Sequence, residues 1–169
     1  MSSKAIELIS LIIIFGLLYM FLLSTAMKIN TENLYPFLQK AQHHNSQIAL
    51  VSLIVSELTN TVIRLRYNLW KEHTQNYMAD YKRDYKQSTE FQRHLTEVKS
   101  LVRTIYQLNT IEKYPDSFNA IALDPIMENF HIDFNDAYYL ELCARNNWIL
   151  VTSDNDFDSI DKGITIVKI

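Results

Sequence analysis

The sequence predicts an α/β domain built on a mainly parallel sheet, with a long helical arm set into it. Three observations carry that expectation. Short apolar runs at 47–52, 148–152 and 164–167 alternate with stretches of helical apolar spacing, the pattern that parallel strands and crossover helices produce. Only two glycines, Gly16 and Gly163, and three prolines, Pro36, Pro115 and Pro125, punctuate 169 residues, so tight turns are few. Hydrophobic residues make up 48% and charged residues 21%, enough to bury one core and too apolar for a disordered chain. A length of 169 residues suits a single domain, 1–169.

Composition also excludes several chemistries. A net charge of −3 rules out a polycation that holds nucleic acid by bulk charge. The lone cysteine, Cys143, allows neither an internal disulfide nor a cysteine-based zinc site, and on an apolar helix it reads as a small core residue. Two isolated glycines cannot build a Gly-rich phosphate loop.

The N-terminal segment admits two readings. Leu8–Met27 carries no charge, and about 20 apolar residues are what a membrane-crossing helix needs. The same run reads as a buried strand and helix, with 11–15 and 18–23 both rich enough in branched and aromatic residues for a central strand. The remaining chain favours the buried reading and a cytoplasmic protein over a membrane anchor at 8–27. A parallel sheet takes its middle strand from the first βα unit, so a sheet without this segment would lose its centre.

The later elements follow in order. Thr31 is an N-cap candidate for a helix through Leu34, Phe37, Leu38 and Ala41, with Pro36 in an early turn where a missing N–H costs least. His43-His44-Asn45-Ser46 is a polar break, read as a turn rather than a metal site. Residues 47–52 form a buried strand and 53–69 a helix. A second helix is expected from about Tyr77 to Leu108, making the arm at 60–113. A turn at 115–118, a short helix at 119–127, a helix at 133–146, a strand at 148–152 and a closing strand at 164–167 complete the chain.

Acidic residues stand at telling places on this plan. Glu57 sits one turn into a largely apolar helix after a strand, Asp136 near the start of its helix, and Asp154 and Asp156 just past the strand at 148–152. Residues past strand C-termini face the functional crevice of a parallel sheet. Carboxylates converging there suit a hard divalent cation, Mg²⁺ or Mn²⁺, and phosphodiester hydrolysis by metal-activated water. Each acid also has a plain structural reading. Asp136 is a favourable charge at a helix start, and Asp154 and Asp156 are turn or capping residues.

The stretch from Asp133-Phe134-Asn135-Asp136-Ala137 through Val151-Thr152-Ser153-Asp154-Asn155-Asp156-Phe157 resembles the second half of a PIN domain. Ile48-Ala49-Leu50-Val51-Ser52-Leu53-Ile54-Val55-Ser56-Glu57 is similar to the strand and helix that carry that family's glutamate. The likeness covers roughly 46–66 and 132–169. It implies a three-layer α/β/α fold and a metal-dependent ribonuclease, as in the toxins of bacterial toxin–antitoxin pairs. RNA, a cognate antitoxin protein and a homodimer are the partners it brings. By the same likeness Glu57, Asp136 and Asp154 would hold the Mg²⁺ or Mn²⁺ and act in catalysis, with Asp156 as a supporting metal acid.

One departure bears on activity. The family's first strand ends in an aspartate, and no aspartate occurs here before Asp80. Ser24 or Gly16 would take its place, with Ser24 preferred because Thr25 then matches the family's threonine. Losing a charged ligand weakens metal binding, which leaves a non-catalytic RNA- or protein-binding module as the alternative function.

The arm offers a separate candidate surface. Between Thr61 and Lys113 ten Lys and Arg face six acids, interleaved with Tyr67, Trp70, Tyr77, Tyr81, Tyr85 and Tyr106. Basic and aromatic side chains together suit unpaired RNA, although a solvated helical hairpin with internal ion pairs is the favoured reading. Arg64 and Arg66 are its candidate phosphate contacts.

Overall fold

The computed structural model describes residues 10–13 (as backbone), 39, 43, 46–152, 154–158, 160 and 163–168. A five-stranded sheet runs β1 (Ser10–Ile13), β2 (Gln47–Leu50), β3 (Ile111–Lys113), β4 (Ile149–Thr152) and β5 (Ile166–Lys168), in spatial order β3-β2-β1-β4-β5. Every pairing is parallel, with Ile12 opposite both Ala49 and Leu150, and Thr152 opposite Lys168. The α/β class and the parallel sheet are as the sequence predicts. So is a central strand from the N-terminal apolar run, at Ser10–Ile13. The expected strand at 18–23, most of the helix from Thr31, and Gly16 and Ser24 lie outside the described residues; Gln39 and His43 are helical, the latter inside the expected polar break at 43–46. Among the described residues no helix is long and apolar enough to cross a membrane.

Within residues 46–168 the described α-helices are α1 (Ser52–Thr74), α2 (Thr89–Gln107), α3 (Leu123–Met127) and α4 (Phe134–Asn146). The chain divides into a sheet unit, made of residues up to Ile54 and from Asn109 onward, and a helical unit, Val55–Leu108. In the sheet unit Ile48, Leu50, Val51, Leu150 and Val151 are buried with Tyr139, Leu140, Leu142 and Cys143 of α4. Apolar side chains alternate little along β2 and β4, as expected of strands covered on both faces. Asn147 ends α4 in the left-handed region at φ 54°, a conformation asparagine tolerates better than most residues.

Strand β3 goes unannounced in the sequence, because three residues with a single strongly apolar side chain, Ile111, give no alternation to read. It is an edge strand held by its pairing with Ile48–Leu50. The helical unit departs from expectation at two points: α1 runs on to Thr74, past the expected end at Leu69, and α2 begins at Thr89, not near Tyr77. Short polar side chains stop the earlier start. The Asp80 carboxylate accepts from the N–H groups of Lys82 and Arg83 at 2.8 and 2.7 Å, and Asp84 accepts from Asp80 N–H at 2.7 Å. These local bonds favour turns over helix. Ser88 then caps α2 by accepting from Phe91 N–H at 3.1 Å.

In the helical unit several of the interleaved aromatics, half-buried themselves, gather around Tyr85. Tyr85 is fully buried and lies 5.3 Å, ring to ring, from each of Tyr67, Trp70 and Phe91. Tyr77 and Tyr106 are exposed. Arg66 pairs with Glu97 at 3.0 Å and Arg83 with Asp84 at 2.9 Å, internal ion pairs of the kind the solvated-hairpin reading expects.

Candidate metal centre

The sheet unit brings three of the four predicted acids together. One carboxylate oxygen each from Asp136, Asp154 and Asp156 lies within 4.8 Å of the others. Two different elements supply them. Asp136 is in the first turn of α4, which starts where Asp133 accepts from Asp136 N–H at 3.0 Å. This capping bond fixes the backbone of Asp136 independently of its side chain. Asp154 and Asp156 follow the C-terminal end of β4. Thr152, only 2% exposed, accepts through its hydroxyl from Asp154 N–H at 2.9 Å, and Asp154 accepts from Asp156 N–H at 3.0 Å. A short 3₁₀ turn, Asn155–Phe157, is anchored by the buried ring of Phe157. The plain capping reading is thus also true: Asp154 caps this turn and still carries a carboxylate into the trio.

Asp154 and Asp156 are exposed and Asp136 is half-buried, so an ion can reach the group from solvent. The donor set is all oxygen, which suits a hard cation and not a soft one. Glu57, the fourth candidate, is half-buried on α1 in the helical unit. Cys143 is fully buried and its thiol is pushed up to about 12 by that burial, which leaves it a core residue and no nucleophile.

Two supporting residues were not singled out from the sequence. Lys168 donates from Nζ to the backbone carbonyl of Asp154 and pairs with Asp158 at 2.6 Å. Its signal is the β4–β5 register, which sets Thr152 beside Lys168, and register is not legible in a three-residue strand. Asp116, past β3, accepts from both the N–H and the hydroxyl of Ser52, fixing the first residue of α1. Tyr138 of α4 in turn donates to the Asp116 carbonyl.

Two acids past the C-terminal end of β4 and one from the first turn of α4 gather at the end of a parallel sheet where α/β proteins usually carry their functional crevice. The sequence model of the PIN domain matches residues 21–163, most of the chain, and the protein belongs to the PIN domain family. Its fold resembles that of VapBC2 from Rickettsia felis, solved bound to a DNA fragment from their promoter. That likeness has a TM-score of 0.55 at 13% identity and covers 95% of this chain and 98% of that one. PAE2754 from Pyrobaculum aerophilum matches with a TM-score of 0.47 at 19% identity, over 96% and 93% of the two chains. No curated protein matches significantly.

The position of the absent aspartate reads differently from the two sides. Strand β1 ends at Ile13, which puts Gly16 close behind it and Ser24 much further on. The family match, by contrast, begins at residue 21 and so includes Ser24 and leaves Gly16 out.

Proposed function

We propose that this PIN domain, acting as one unit over 1–169, is a divalent-metal-dependent ribonuclease of the cytoplasm. The observation that carries the reading is the approach of Asp136, Asp154 and Asp156 oxygens to within 4.8 Å of one another. Such a group is mutually repulsive without a cation and matches the ligand preference of Mg²⁺ or Mn²⁺. In this reading Asp136, Asp154 and Glu57 hold the ion and Asp156 supports it. A bound Mg²⁺ or Mn²⁺ would supply Lewis-acid polarisation of the phosphodiester and a more acidic water.

The chain's own contribution is positional. The Asp133 cap and the Thr152 hydroxyl set the backbones of Asp136 and Asp154. Lys168 holds the turn between them and β5. A cognate antitoxin protein and a second copy of the chain are partners of this reading on family grounds.

The test is cleavage of a mixed-sequence RNA in Mn²⁺, with an EDTA control and the variants Glu57→Gln and Asp154→Asn. Metal-dependent cleavage lost in the variants supports the reading. A second reading, a non-catalytic PIN module that binds RNA or protein, is favoured by the absence of any aspartate before Asp80. Folded protein that cleaves nothing in Mn²⁺ would select it.

A further inference from the structure

We infer that the face of α1 bearing Glu57 continues into a track for single-stranded RNA, with Arg64 on a phosphate and one base in the cavity beside it. The inference rests on the ribonuclease reading and names where its substrate lies. Glu57, Asn60, Arg64 and Asn68 recur at i, i+3, i+7 and i+11, so they share one helical face within the helical unit. At the α-helical rise Arg64 stands about 10 Å and Asn68 about 16 Å along the axis from Glu57. A cavity of about 500 Å³ opens on this face, lined by Asn60, Ile63, Arg64, Tyr67, Asn68 and Tyr81.

The lining has the chemistry of base and phosphate recognition. Tyr67 and Tyr81 meet edge to face at 5.4 Å and form an aromatic wall. Asn60 and Asn68 each present a donor and an acceptor suited to a base edge. Asn60 Nδ2 reaches Ser56 Oγ only at 3.5 Å, the limit of a hydrogen bond, and among the described residues nothing bonds the Asn68 side chain. Among the described residues no ion pair holds Arg64, which is exposed.

The opposite face of α1 supplies the contrast. There a cavity of about 530 Å³ is lined by Arg66, Trp70, His73, Arg93 and His94 among others. There Arg66 pairs with Glu97 at 3.0 Å, and Arg93 donates to His94 Nε2 at 3.3 Å. One guanidinium, two amides and a tyrosine pair, with Lys71 and Lys86 Nζ 4.6 and 5.4 Å over the Tyr67 and Tyr81 rings, fit a nucleotide, whose phosphate takes the cations and whose base takes the amides and aromatic edges.

The experiment titrates the full chain, in EDTA so that no hydrolysis occurs, into a short fluorescein-labelled single-stranded RNA and reads anisotropy at several salt concentrations. Arg64→Gln should weaken binding about tenfold and lower the salt slope by about 0.7, one phosphate contact. Asn60→Ala and Asn68→Ala, both at exposed positions, should weaken it about threefold to tenfold. Arg103→Gln, which removes the same charge from α2, should change it less than about twofold. Photocrosslinking with 4-thiouridine RNA should label Tyr67 or Tyr81.

Equal losses from Arg64→Gln and Arg103→Gln would mean bulk charge and overturn the track, as would crosslinks confined elsewhere. Variants that bind as wild type, beside a wild type that cleaves RNA, would sink the track and leave the ribonuclease reading standing. A wild type that neither binds nor cleaves RNA would sink both.

Discussion

Lys168, in the last strand, donates from Nζ to the backbone carbonyl of Asp154 while pairing with the carboxylate of Asp158. One side chain therefore ties β5 to both ends of the turn that carries two of the three clustered acids. The ion pair is worth little by itself, since the Lys168 and Asp158 side chains are 36% and 60% exposed. Its effect falls on where Asp154 is held.

Lys168→Met should accordingly lower thermal stability by no more than about 1 kcal/mol. Mn²⁺ affinity should fall about tenfold, the usual scale for residues that orient metal ligands. Calorimetric titration with Mn²⁺ beside a thermal melt separates the two effects. A variant that loses stability but binds Mn²⁺ as wild type would make Lys168 a purely structural clamp.

Three carboxylates within 4.8 Å repel one another when no cation is present. Replacing one removes a like charge from the group, so Asp154→Asn should leave the protein in EDTA no less stable than wild type. The same change should abolish the stabilisation that Mn²⁺ gives to wild type, which follows mass action on the folded state. Melting curves with and without Mn²⁺ check both signs. Loss of stability in EDTA would mean that the charge assistance in the bond Asp156 N–H donates to the Asp154 carboxylate outweighs the repulsion.

The helical unit carries its own pH dependence. His94 is 6% exposed, with Nδ1 2.8 Å from the Tyr85 hydroxyl and Nε2 accepting from Arg93. Its pKa is held below the usual 6.5, first by burial and then by the nearby Arg66 and Arg93, against opposing pulls from Glu97 and Glu90. The folded state thus binds fewer protons than the unfolded chain as pH falls below about 6.5. Stability is full above that pH and declines as pH drops toward the depressed folded value. His94→Gln should flatten the decline between about pH 7 and 5, measured by urea unfolding at each pH. An unchanged slope in the variant would place the titration elsewhere.

The elements that could be read from the sequence are those whose signal is local. The apolar runs at β2 and β4, the start of the helix at 133 and the turn after Thr152 each announce themselves within a few residues. That locality is why Asp136, Asp154 and Asp156 could be named without coordinates. What escaped depends on pairing between distant segments. Strand β3 exists through its register with Ile48–Leu50, and Lys168 matters through its place beside Thr152. The late start of α2 escaped for another reason: Asp80 and Asp84 spend their carboxylates on nearby N–H groups, and helical periodicity cannot show that competition.

The missing first-strand aspartate gives the last prediction. Strand β1 ends close to Gly16, and the family match begins just before Ser24. Gly16→Asp and Ser24→Asp therefore test rival alignments of the same ligand. Restoring a carboxylate to a metal site that already holds several should tighten Mn²⁺ binding and raise cleavage, each about tenfold or more. The variant at the wrong position should do neither, and an unpaired charge placed in an apolar segment should cost stability there, about 1–3 kcal/mol. Mn²⁺ titration, RNA cleavage and melting of the two variants side by side assign the position. Should both lose stability without gaining metal affinity, the site works with the three clustered acids and Glu57 alone, or it does not work as a nuclease.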